Sequence, residues 1–503
     1  MKPNRPNFKT IVLRNIPDSR QYRLVIASNK GVEVDRTLPE DSKHLSTPSA
    51  FLASCAQSFT DAGEGTVIVD QVPCVKFAPG VAEDDSLALA AFAEQAAKDG
   101  WKPGVGVELG NGWVSWTKDK KTYIHMGIRS LITPDPKGMV RPADTDPVML
   151  AYRLCRYAEL VGAPWRARAG VSGLQALRNL YQRPIMQRRN GKSEWVKRPL
   201  PMWHWRARTG YDELSRLHGA GDMTYTRPLS ELHDWELKAA YMVPLDTRAQ
   251  YLNGMSQAFL GWDLPEHTGV TSFDPMRPGF WTIYVGIGDE IPAWARPELG
   301  IPLINPMRIR PDGTTTVTTR VLSYLQEVGQ RLPMIMDSYL CKAGGRYLRE
   351  FSELIRDALP DAQTAGDEIL RHQIKQTYKE SPGMFAKAGG RIERKDWYHA
   401  IVDECRVGVL RKAHMVARSE ACSGRWPVRI NTDCLWYPSF TPDARDLLEA
   451  LGQNPDEPPR IGQFKVEKDK VMPMAEWYAE VCKQEEYRAR KAAERAERRE
   501  ARR

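Results

Sequence analysis

The sequence lacks several features that would assign it to a common functional class. No run of about 18 apolar residues occurs, and the opening MKPNRPNFKT has no apolar stretch of the kind found in signal peptides. We therefore expect a cytoplasmic protein without a membrane partner. The eight cysteines show no CxxC spacing, and the nine histidines do not cluster. These absences argue against a disulfide framework and a zinc site, and they predict reduced, mostly buried thiols.

Length and charge indicate a multidomain protein with an anionic partner. A chain of 503 residues with 42% hydrophobic and 27% charged residues can build two or three ordinary domains. The net charge of +9 favours an acidic ligand such as nucleic acid. The segment KQEEYRARKAAERAERREARR carries +4 of this excess. We interpret it as a solvated, largely helical tail, with a nucleic-acid contact as the alternative.

A second basic stretch, QRRNGKSEWVKRPLPMWHWRAR (187–208), mixes charge with aromatic rings. Seven basic side chains and one acid alternate with Trp195, Trp203 and Trp205. Cations that neutralise phosphates, together with aromatic planes that stack on bases, are typical of a single-strand groove. An interdomain linker with incidental charge is the alternative interpretation. The DNA-binding candidates in this stretch are Arg188, Arg189, Lys197 and Arg198.

Hydrophobic periodicity predicts strands mixed with helices on both sides of this stretch. Before it, TVIVD is a buried strand and GWVSWTKDKKTYIHMGI is a hairpin. An amphipathic helix covers 84–101, and a second helix covers 146–162 with Asp146 at its capping end. After it, we predict strands near 241–246, 281–287 and 427–437 around a helical block from about 317 to 418. The fold class is therefore α+β.

Two aspartates, Asp246 and Asp433, each end an apolar strand-like segment. Between them, Arg371 and Lys375 are spaced i, i+4, so they lie on one face of a helix. Two carboxylates on neighbouring strands opposite a basic helix suit two-metal phosphoryl transfer. The ions activate the attacking hydroxyl and stabilise the leaving oxygen, while the cations neutralise triphosphate charge.

These stretches resemble the motifs of family-B DNA polymerases, most closely the protein-primed phage type. DTRAQY (246–251) keeps the Asp and Tyr of the first palm motif, and RINTDC (429–434) keeps the Thr-Asp of the second. IGQFKVE (461–467) is similar to the Leu-Gly-x-Trp/Phe-Lys-x-Glu segment that follows in that family. The chain also resembles polymerase-like proteins of actinobacteria, their phages and linear replicons, including telomere-associated replication proteins.

The resemblance implies a role for each matching palm residue. Asp246 and Asp433 would be the catalytic carboxylates that bind two Mg²⁺ ions, with Mn²⁺ as a substitute, and Thr247 would add its backbone carbonyl. Tyr251 would lie under the sugar and favour deoxynucleotides. Lys465 would contact DNA. One departure is Asn431 at the first Asp of the second palm motif, which weakens the negative charge of the site.

The fingers motif, Lys-x-x-x-Asn-Ser-x-Tyr-Gly, matches less well. KQTYKESPG (375–383) keeps the Lys and the Gly, and the resemblance implies that Arg371 and Lys375 bind the triphosphate. The Asn-Ser pair that contacts the incoming base is replaced by Lys-Glu. Pro382 stands where the Tyr is expected, and we predict that it breaks the helix.

The resemblance implies an N-terminal, degenerate RNase-H-like or exonuclease-like domain, then a polymerase palm with helical fingers and a small thumb. That exonuclease type needs Asp-x-Glu on its first strand, whereas VDQVP offers Asp70 alone, so we expect no exonuclease activity. The predicted boundaries are 1–186 for the exonuclease-like domain, 187–208 for a basic linker, 209–480 for the polymerase domain with fingers at about 317–386, and 481–503 for a charged helical tail.

Two functional interpretations follow. The first is a template-directed DNA polymerase without proofreading, which uses dNTPs and a primer-template or single strand and has a terminal or priming protein as a candidate partner. The second is a catalytically inactive polymerase fold that binds DNA ends as a replication scaffold. Retention of both Asp246 and Asp433 favours the enzyme, because a site without catalytic activity would not need both carboxylates.

Overall fold

The computed structural model divides the chain into two compact units. The first comprises Met1–Leu200 with Glu350–Glu393, and the second comprises Pro201–Arg349 with Arg394–Arg503. The helical segment Glu350–Glu393 therefore belongs to the first unit, whereas the sequence placed all of it in the predicted polymerase domain and most of it in the fingers. The structure describes residues 8–59, 64–71, 85–104, 112–119, 122–133, 135, 137–140, 146–182, 184–189, 192–199, 201, 217, 219, 224–286, 303–304, 308–364, 366–387 and 392–500.

Helices and strands are each numbered in chain order. The helices are α1 (Pro48–Ser58), α2 (Asp85–Lys98), α3 (Pro147–Val161), α4 (Ala169–Gln182), α5 (Asp234–Leu237), α6 (Gln250–Gln257), α7 (Thr319–Glu327), α8 (Arg349–Thr364), α9 (Glu368–Phe385), α10 (Lys395–Arg418), α11 (Arg445–Ala450) and α12 (Met474–Glu500).
The strands are β1 (Lys9–Asn15), β2 (Gln21–Ser28), β3 (Gly31–Pro39), β4 (Glu64–Val69), β5 (Lys102–Pro103), β6 (Trp113–Lys118), β7 (Thr122–Ile128), β8 (Ile185–Arg189), β9 (Lys192–Val196), β10 (Thr224–Thr226), β11 (Tyr241–Thr247), β12 (Leu260–Gly261), β13 (Glu266–His267), β14 (Gly279–Tyr284), β15 (Thr314–Thr318), β16 (Ile335–Leu340), β17 (Gly344–Gly345), β18 (Arg429–Asn431), β19 (Cys434–Ser439), β20 (Phe464–Val466) and β21 (Met472–Pro473).

The first unit contains a mixed sheet. In its described residues the strand order is β3-β2-β1-β4-β7-β6-β5, with β1, β4 and β7 parallel to one another and the remaining pairs antiparallel. The alternating apolar residues of β1 and β4 pack with α1 and α2 into one core, which includes Ile11, Val67, Leu52 and Phe92. The carboxyl ends of the three parallel strands meet at one edge of the sheet.

Helix α3 begins and ends where the sequence predicts. The Asp146 carboxylate accepts a hydrogen bond from the Met149 backbone N–H at 3.2 Å, and Pro147 occupies the first turn. Gly162 closes the helix with a φ of 80°, a left-handed conformation that glycine adopts without steric cost. The predicted capping by Asp146 is confirmed.

Helix α9 passes through Pro382 and ends at Phe385, so the prediction that Pro382 breaks the helix is wrong. A proline near the last turn removes a single helical N–H, and close packing on α4 offsets that loss. Gly173 of α4 allows this approach, because an added Cβ would lie 2.3 Å from the Ser381 hydroxyl oxygen. Tyr157 of α3 adds a hydrogen bond of 2.6 Å to Thr377.

The second unit is built on an antiparallel sheet in which β11 pairs with three other described strands. The described strands follow the order β10-β18-β19-β11-β20, and β21 also pairs with β11. One face of this sheet, here called the α10 face, packs Val243 and Leu245 with Leu410 in a large core. The opposite α12 face packs Met242 with Trp477. Two further antiparallel sheets, β13-β16-β14-β15 and β12-β17, complete the described strands of this unit.

Most predicted elements of both units are observed, and the α+β class is confirmed. The hairpin of β6 and β7, the strands β11, β14 and β19, and the helices from α7 to α10 all lie where the periodicity places them. The hydrophobic periodicity did not predict the strands β1, β2 and β3 or the helix α1. Nor did it predict β15, which lies at the start of the predicted helical block, or β16, which interrupts that block.

Two expectations about composition can be compared with the structure. The described cysteines form no disulfide and are buried, except that Cys482 is half-buried; Cys74 lies outside the described residues. Within the described ranges, no helix is both long enough and apolar enough to cross a membrane.

Arg394 is a fully buried cation that ties the start of α10 to the end of β12 and the residues that follow it. Its guanidinium donates to the Asp396 carboxylate at 2.9 and 2.6 Å, and to the carbonyls of Gly261 and Asp263 at 2.8 and 2.9 Å. It also lies 4.7 Å from the Trp397 ring centroid. Because the charge is paired and hydrogen-bonded, it is tolerated in the interior, but removing one partner leaves the other unpaired.

We expect Arg394→Met to lower the free energy of unfolding of the second unit by about 3–5 kcal/mol, because Asp396 then stays buried without its cation. The double variant Arg394→Met with Asp396→Leu should recover part of this loss, since no unpaired charge remains. Urea unfolding followed by tryptophan fluorescence measures both. A loss below about 1 kcal/mol for the single variant would contradict a structural role for this pair.

Candidate functional site

The antiparallel pairing of β11 and β19 brings the two candidate aspartates to the same end of the sheet. Asp246 lies directly opposite Cys434, the residue that follows Asp433. The Thr247 backbone N–H donates to the Asp433 carbonyl at 3.2 Å. The Cys434 thiol is close to both carboxylates: burial, together with the negative charges of Asp246 and Asp433, raises its pKa to about 12. Two residues far apart in the chain are therefore neighbours in the fold.

Asp433 occupies the tip of a tight hairpin. Asn431 pairs with Cys434, so Thr432 and Asp433 form a two-residue turn between β18 and β19. Thr432 has a φ of 56°, a left-handed conformation that is unusual for a β-branched residue. Such local strain persists only where the flanking strands hold the turn, and it recurs at functional sites.

Asp246 is held by a lysine on the neighbouring strand β20. Lys465 lies opposite Asp246 in the strand register, and its ammonium is 3.1 Å from the carboxylate. Burial raises the pKa of Asp246, and the charge of Lys465 offsets this effect. Lys465 also pairs with Glu467, and hydrogen bonds from Lys465 and Lys470 lower the pKa of Glu467 to about 2. The ammonium predicted to contact DNA thus bridges two carboxylates.

Lys412 of α10 is a site residue that the sequence analysis missed. Its ammonium donates to the Thr247 hydroxyl oxygen at 3.2 Å and lies 4.4 Å from the Phe464 ring centroid. Burial lowers its pKa to about 8, while the charges of Asp246 and Asp433 act in the opposite direction. A signal was available: Lys412 follows the buried Cys405 by seven residues, which places a cation on a buried helix face.

A buried amide fixes strand β20 beside the aspartates. The Gln453 side chain donates to the Phe464 carbonyl at 2.9 Å and accepts from the Phe464 N–H at 3.0 Å. The amide thus satisfies both backbone groups of Phe464, as a further strand would. Lys465 follows directly, so this pairing sets the position of the ammonium that holds Asp246.

The oxygen ligands at this site suit a hard divalent cation that takes only a few of its ligands from the protein. Among the described residues, no three His, Cys, Asp or Glu side chains form a group that could hold a metal ion. The protein offers the Asp246 and Asp433 carboxylates, with the backbone carbonyl of Thr247. Mg²⁺ is commonly bound by one or two carboxylates, with water and substrate phosphates completing its sphere. The residues fit such an ion, provided that Lys465 releases Asp246.

The remaining predicted nucleotide ligands lie on α6 and α9. Tyr251 is half-buried in the first turn of α6, four residues beyond Thr247. Arg371 and Lys375 are exposed on α9, which belongs to the first unit, and Arg371 pairs with Glu368 at 2.8 Å.

The basic stretch 187–208 folds partly as a hairpin. Arg188 and Arg189 end β8, which pairs with β9. Trp195 is 68% exposed, and Lys197 is also exposed. Arg198 binds Glu350 at 2.9 Å and lies 5.2 Å from the Tyr181 ring centroid, so it has a structural partner. Trp203 and Trp205 lie outside the described residues.

Asp70 lies beside two guanidinium groups, and its strand is the fourth described strand of the first unit in chain order, not the first strand that the resemblance to an exonuclease requires. It follows β4 and accepts a hydrogen bond from Arg129 at 2.9 Å, while Arg14 lies 3.7 Å away. The Asn15 backbone N–H donates to its other oxygen at 3.0 Å. Its carboxylate is therefore engaged by two guanidinium groups, which compete with any cation there.

Comparisons with known proteins yield only distant structural similarity. No protein-family model matches the chain, and no curated protein matches it. The solved structure of Phi29 DNA polymerase with primer-template DNA and incoming nucleotides is 11% identical with a TM-score of 0.45, covering 91% of this chain and 84% of that one. A family B DNA polymerase from the archaeon Pyrobaculum calidifontis is 11% identical with a TM-score of 0.30, covering 92% and 56%. Function has therefore to be argued from this chain's own residues.

The pKa of Lys412 couples this site to stability. Lys412 loses its proton at about pH 8 in the folded protein and near 10.5 in the unfolded chain. Between these values the unfolded chain holds the extra proton, so the free energy of unfolding rises with pH. Relative to Lys412→Met, the wild type should gain about 1–3 kcal/mol between pH 8 and 10.5. Urea unfolding at several pH values measures this; a constant difference would refute the lowered pKa.

Proposed function

We propose that this protein is a template-directed nucleotidyltransferase that extends a DNA primer with dNTPs. The observation that carries the proposal is the meeting of Asp246 and Asp433 at the end of β11 and β19, joined through the Thr247–Asp433 hydrogen bond. The motif resemblance to family-B polymerases supports it, because the same two residues match the palm aspartates.

In this proposal Asp246, Asp433 and the Thr247 carbonyl hold Mg²⁺ or Mn²⁺. The bound cation would supply Lewis-acid stabilisation of the transferring phosphoryl group and activation of the primer hydroxyl. Lys465 holds the Asp246 carboxylate in place until the cation arrives. Lys412 positions Thr247 through its hydroxyl and offsets the negative charge of the two aspartates.

The other partners are assigned by chemistry. Tyr251 favours deoxynucleotides through its ring, and Arg371 and Lys375 contact triphosphate. The β8–β9 hairpin, with its exposed Trp195 and Lys197, binds single-stranded or primer-template DNA through stacking and phosphate contacts. The two guanidinium groups beside Asp70 compete with a cation at that carboxylate, which supports a polymerase without proofreading. A terminal or priming protein is the candidate source of the primer hydroxyl.

A replication scaffold that binds DNA ends without chemistry is the second candidate. The observations that favour it are the ion pair between Lys465 and Asp246 and the replacement of a palm carboxylate by Asn431. Both reduce the negative charge available to a cation. Measuring nucleotide addition and DNA binding on the same protein distinguishes the enzyme from the scaffold.

Asp433→Asn removes one charge with little change of shape, so the fold and the DNA affinity should persist. We expect nucleotide addition to fall by several orders of magnitude, because a cation loses one of its two carboxylates. Primer extension with labelled dNTPs and Mg²⁺ or Mn²⁺ measures this, with thermal unfolding as the control for folding. Wild-type protein that extends neither nucleic-acid nor protein primers, yet binds DNA as tightly as the variant, would favour the scaffold.

DNA affinity should depend steeply on salt through the basic hairpin. Replacing Arg188, Arg189 and Lys197 by Gln should reduce the slope of log affinity against log salt by about 2–3, one unit for each lost phosphate contact. The matched control replaces the exposed Lys30, Lys43 and Lys102 by Gln, with the same change of charge. Equal slopes for the two triple variants would show that the hairpin is not the DNA contact.

A further inference from the structure

The first unit contains a cavity of about 240 Å³ between helix α1 and the sheet, here called the α1 cavity. Strands β1, β2 and β3 form one wall and α1 forms another, and the short 3₁₀ helix Lys43–Leu45 also lines it. An engineered cavity of about 150 Å³ is large enough to bind benzene. Scaled from the six carbons of benzene, the α1 cavity suits a ligand of about ten non-hydrogen atoms.

The lining of the α1 cavity is mostly apolar and shielded from bulk solvent. Six of its apolar residues are each at most 9% exposed: Ile11, Leu13, Leu24, Leu38, Leu45 and Phe51. Removing apolar surface of a ligand from water contributes about 25 cal/mol per Å². A ligand for this cavity therefore carries an apolar chain or ring.

Two serines on α1 keep the space between the helix and the sheet open. Ser54 and Ser58 are spaced i, i+4, so they lie on one side of α1, and both line the cavity. The Ser58 hydroxyl donates to the Ser54 carbonyl at 3.1 Å, so it is satisfied within the helix. Their short side chains leave volume that a larger residue would fill. Ser54→Leu is therefore a direct way to close the cavity.

Arg36 places a guanidinium on the cavity side of β3, the edge strand of the described sheet. It lies opposite Leu24 in the strand register, and both residues line the cavity. Arg36 has no hydrogen bond or ion pair with any described residue, and no Asp or Glu is among the described lining residues. Arg23, on the opposite face of the sheet, instead binds Asp35 at 3.0 and 2.9 Å. The cavity thus offers a cation without a fixed acidic partner.

His44 supplies a second polar group to the cavity wall. Its Nδ1 lies 2.9 Å from the Ser54 hydroxyl oxygen, a hydrogen bond that holds the ring in place. Within the described residues, Nε2 of His44 has no hydrogen-bond partner. When Ser54 donates to Nδ1, the ring proton is on Nε2, so this nitrogen can donate to an anionic ligand.

We propose that the α1 cavity binds a small monocarboxylic acid with an apolar chain or ring, whose carboxylate pairs with Arg36 and accepts from His44. The apolar body matches the lining, and a guanidinium binds a carboxylate through two parallel hydrogen bonds. Straight-chain and aromatic acids of this size share the required chemistry. Because the cavity exists only when α1 packs on the sheet, the bound acid stabilises the first unit by mass action.

An inward-pointing charge on an edge strand has a second known role, which is to prevent pairing with the edge of another sheet. That role needs no ligand. Arg36 would then affect aggregation of the protein without affecting the affinity of any small acid, so a binding measurement separates the two roles.

Isothermal titration calorimetry of the full chain with octanoate and with 3-phenylpropionate measures binding, and 1-octanol is the uncharged control. Neither metal nor primer is added, so the result does not depend on the proposed function. We expect Arg36→Gln to weaken both acids roughly tenfold or more, because a charge-assisted hydrogen bond is lost, and to leave octanol unchanged. Arg20→Gln, at an exposed position between β1 and β2, is the control with the same change of charge.

Ser54→Leu tests whether the ligand occupies this cavity. It should abolish binding of the acids and of octanol, and should keep or raise the unfolding temperature because it fills apolar space. Ala53→Leu, at an exposed position of the same helix, controls for an added leucine and should bind like the wild type. Arg36 is exposed, so Arg36→Gln stays informative where Ser54→Leu fails to fold.

Three results would overturn the proposal. They are a wild type that binds neither acid, acid binding that persists in a folded Ser54→Leu protein, and equal effects of Arg36→Gln on octanoate and octanol. Light scattering that rises in Arg36→Gln while its acid affinity stays that of the wild type would assign Arg36 to protection of the edge strand. Binding of one acid but not the other supports the proposal and distinguishes a chain from a ring as the apolar body.

Discussion

The register between β11 and β19 is the constraint on which the candidate site depends. Successive side chains of a strand point to opposite faces, so Leu245 and Thr247 face α10 while Asp246 faces the other side with Cys434. A slip of one residue would bury Asp246 in the apolar core and expose leucine. The two-residue turn at Thr432 and Asp433 fixes how β18 and β19 pair, and the buried apolar residues on both faces of the sheet hold β11 in register with β19.

The apolar faces of the sheet make this register stable. Val243, Leu245 and Leu435 are fully buried on the α10 face, and Met242 and Trp477 are buried on the other. On β11 and β19, Asp246, Thr247 and Asp433 lie where these two strands meet the end of the sheet. The site thus lies at the boundary of a well-packed core, where a carboxylate can keep contact with water and ions while its backbone is held rigidly.

The positive charges of nearby lysines roughly balance the negative charges of the carboxylates at the site. Lys465 is shared between Asp246 and Glu467, and Lys412 is close enough to Asp246 and Asp433 for their charges to oppose the lowering of its pKa by burial. Such a site is tolerable without a bound cation, since no carboxylate at its centre is left without a nearby ammonium. The same balance means that a cation has to displace an existing partner, and that its binding is coupled to the position of β20.

Much of this could be predicted from sequence, because the signals were local. The alternation of apolar residues predicted β11 and β19, the 3.6-residue period predicted α9 and α10, and the cap at Asp146 marked the start of α3. The spacing of Asp246 and Asp433 in recognisable motifs identified them as candidates.

Only the tertiary structure decided which side chains meet. The association of α9 with the first unit, the lysine on Asp246, the position of Lys412 and the α1 cavity all depend on contacts between residues distant in sequence. Residue periodicity specifies which face of an element is buried, but not which element covers it. Helix α9 also shows that packing overrides local propensity, since contacts with α4 compensate for the hydrogen bond that Pro382 cannot make.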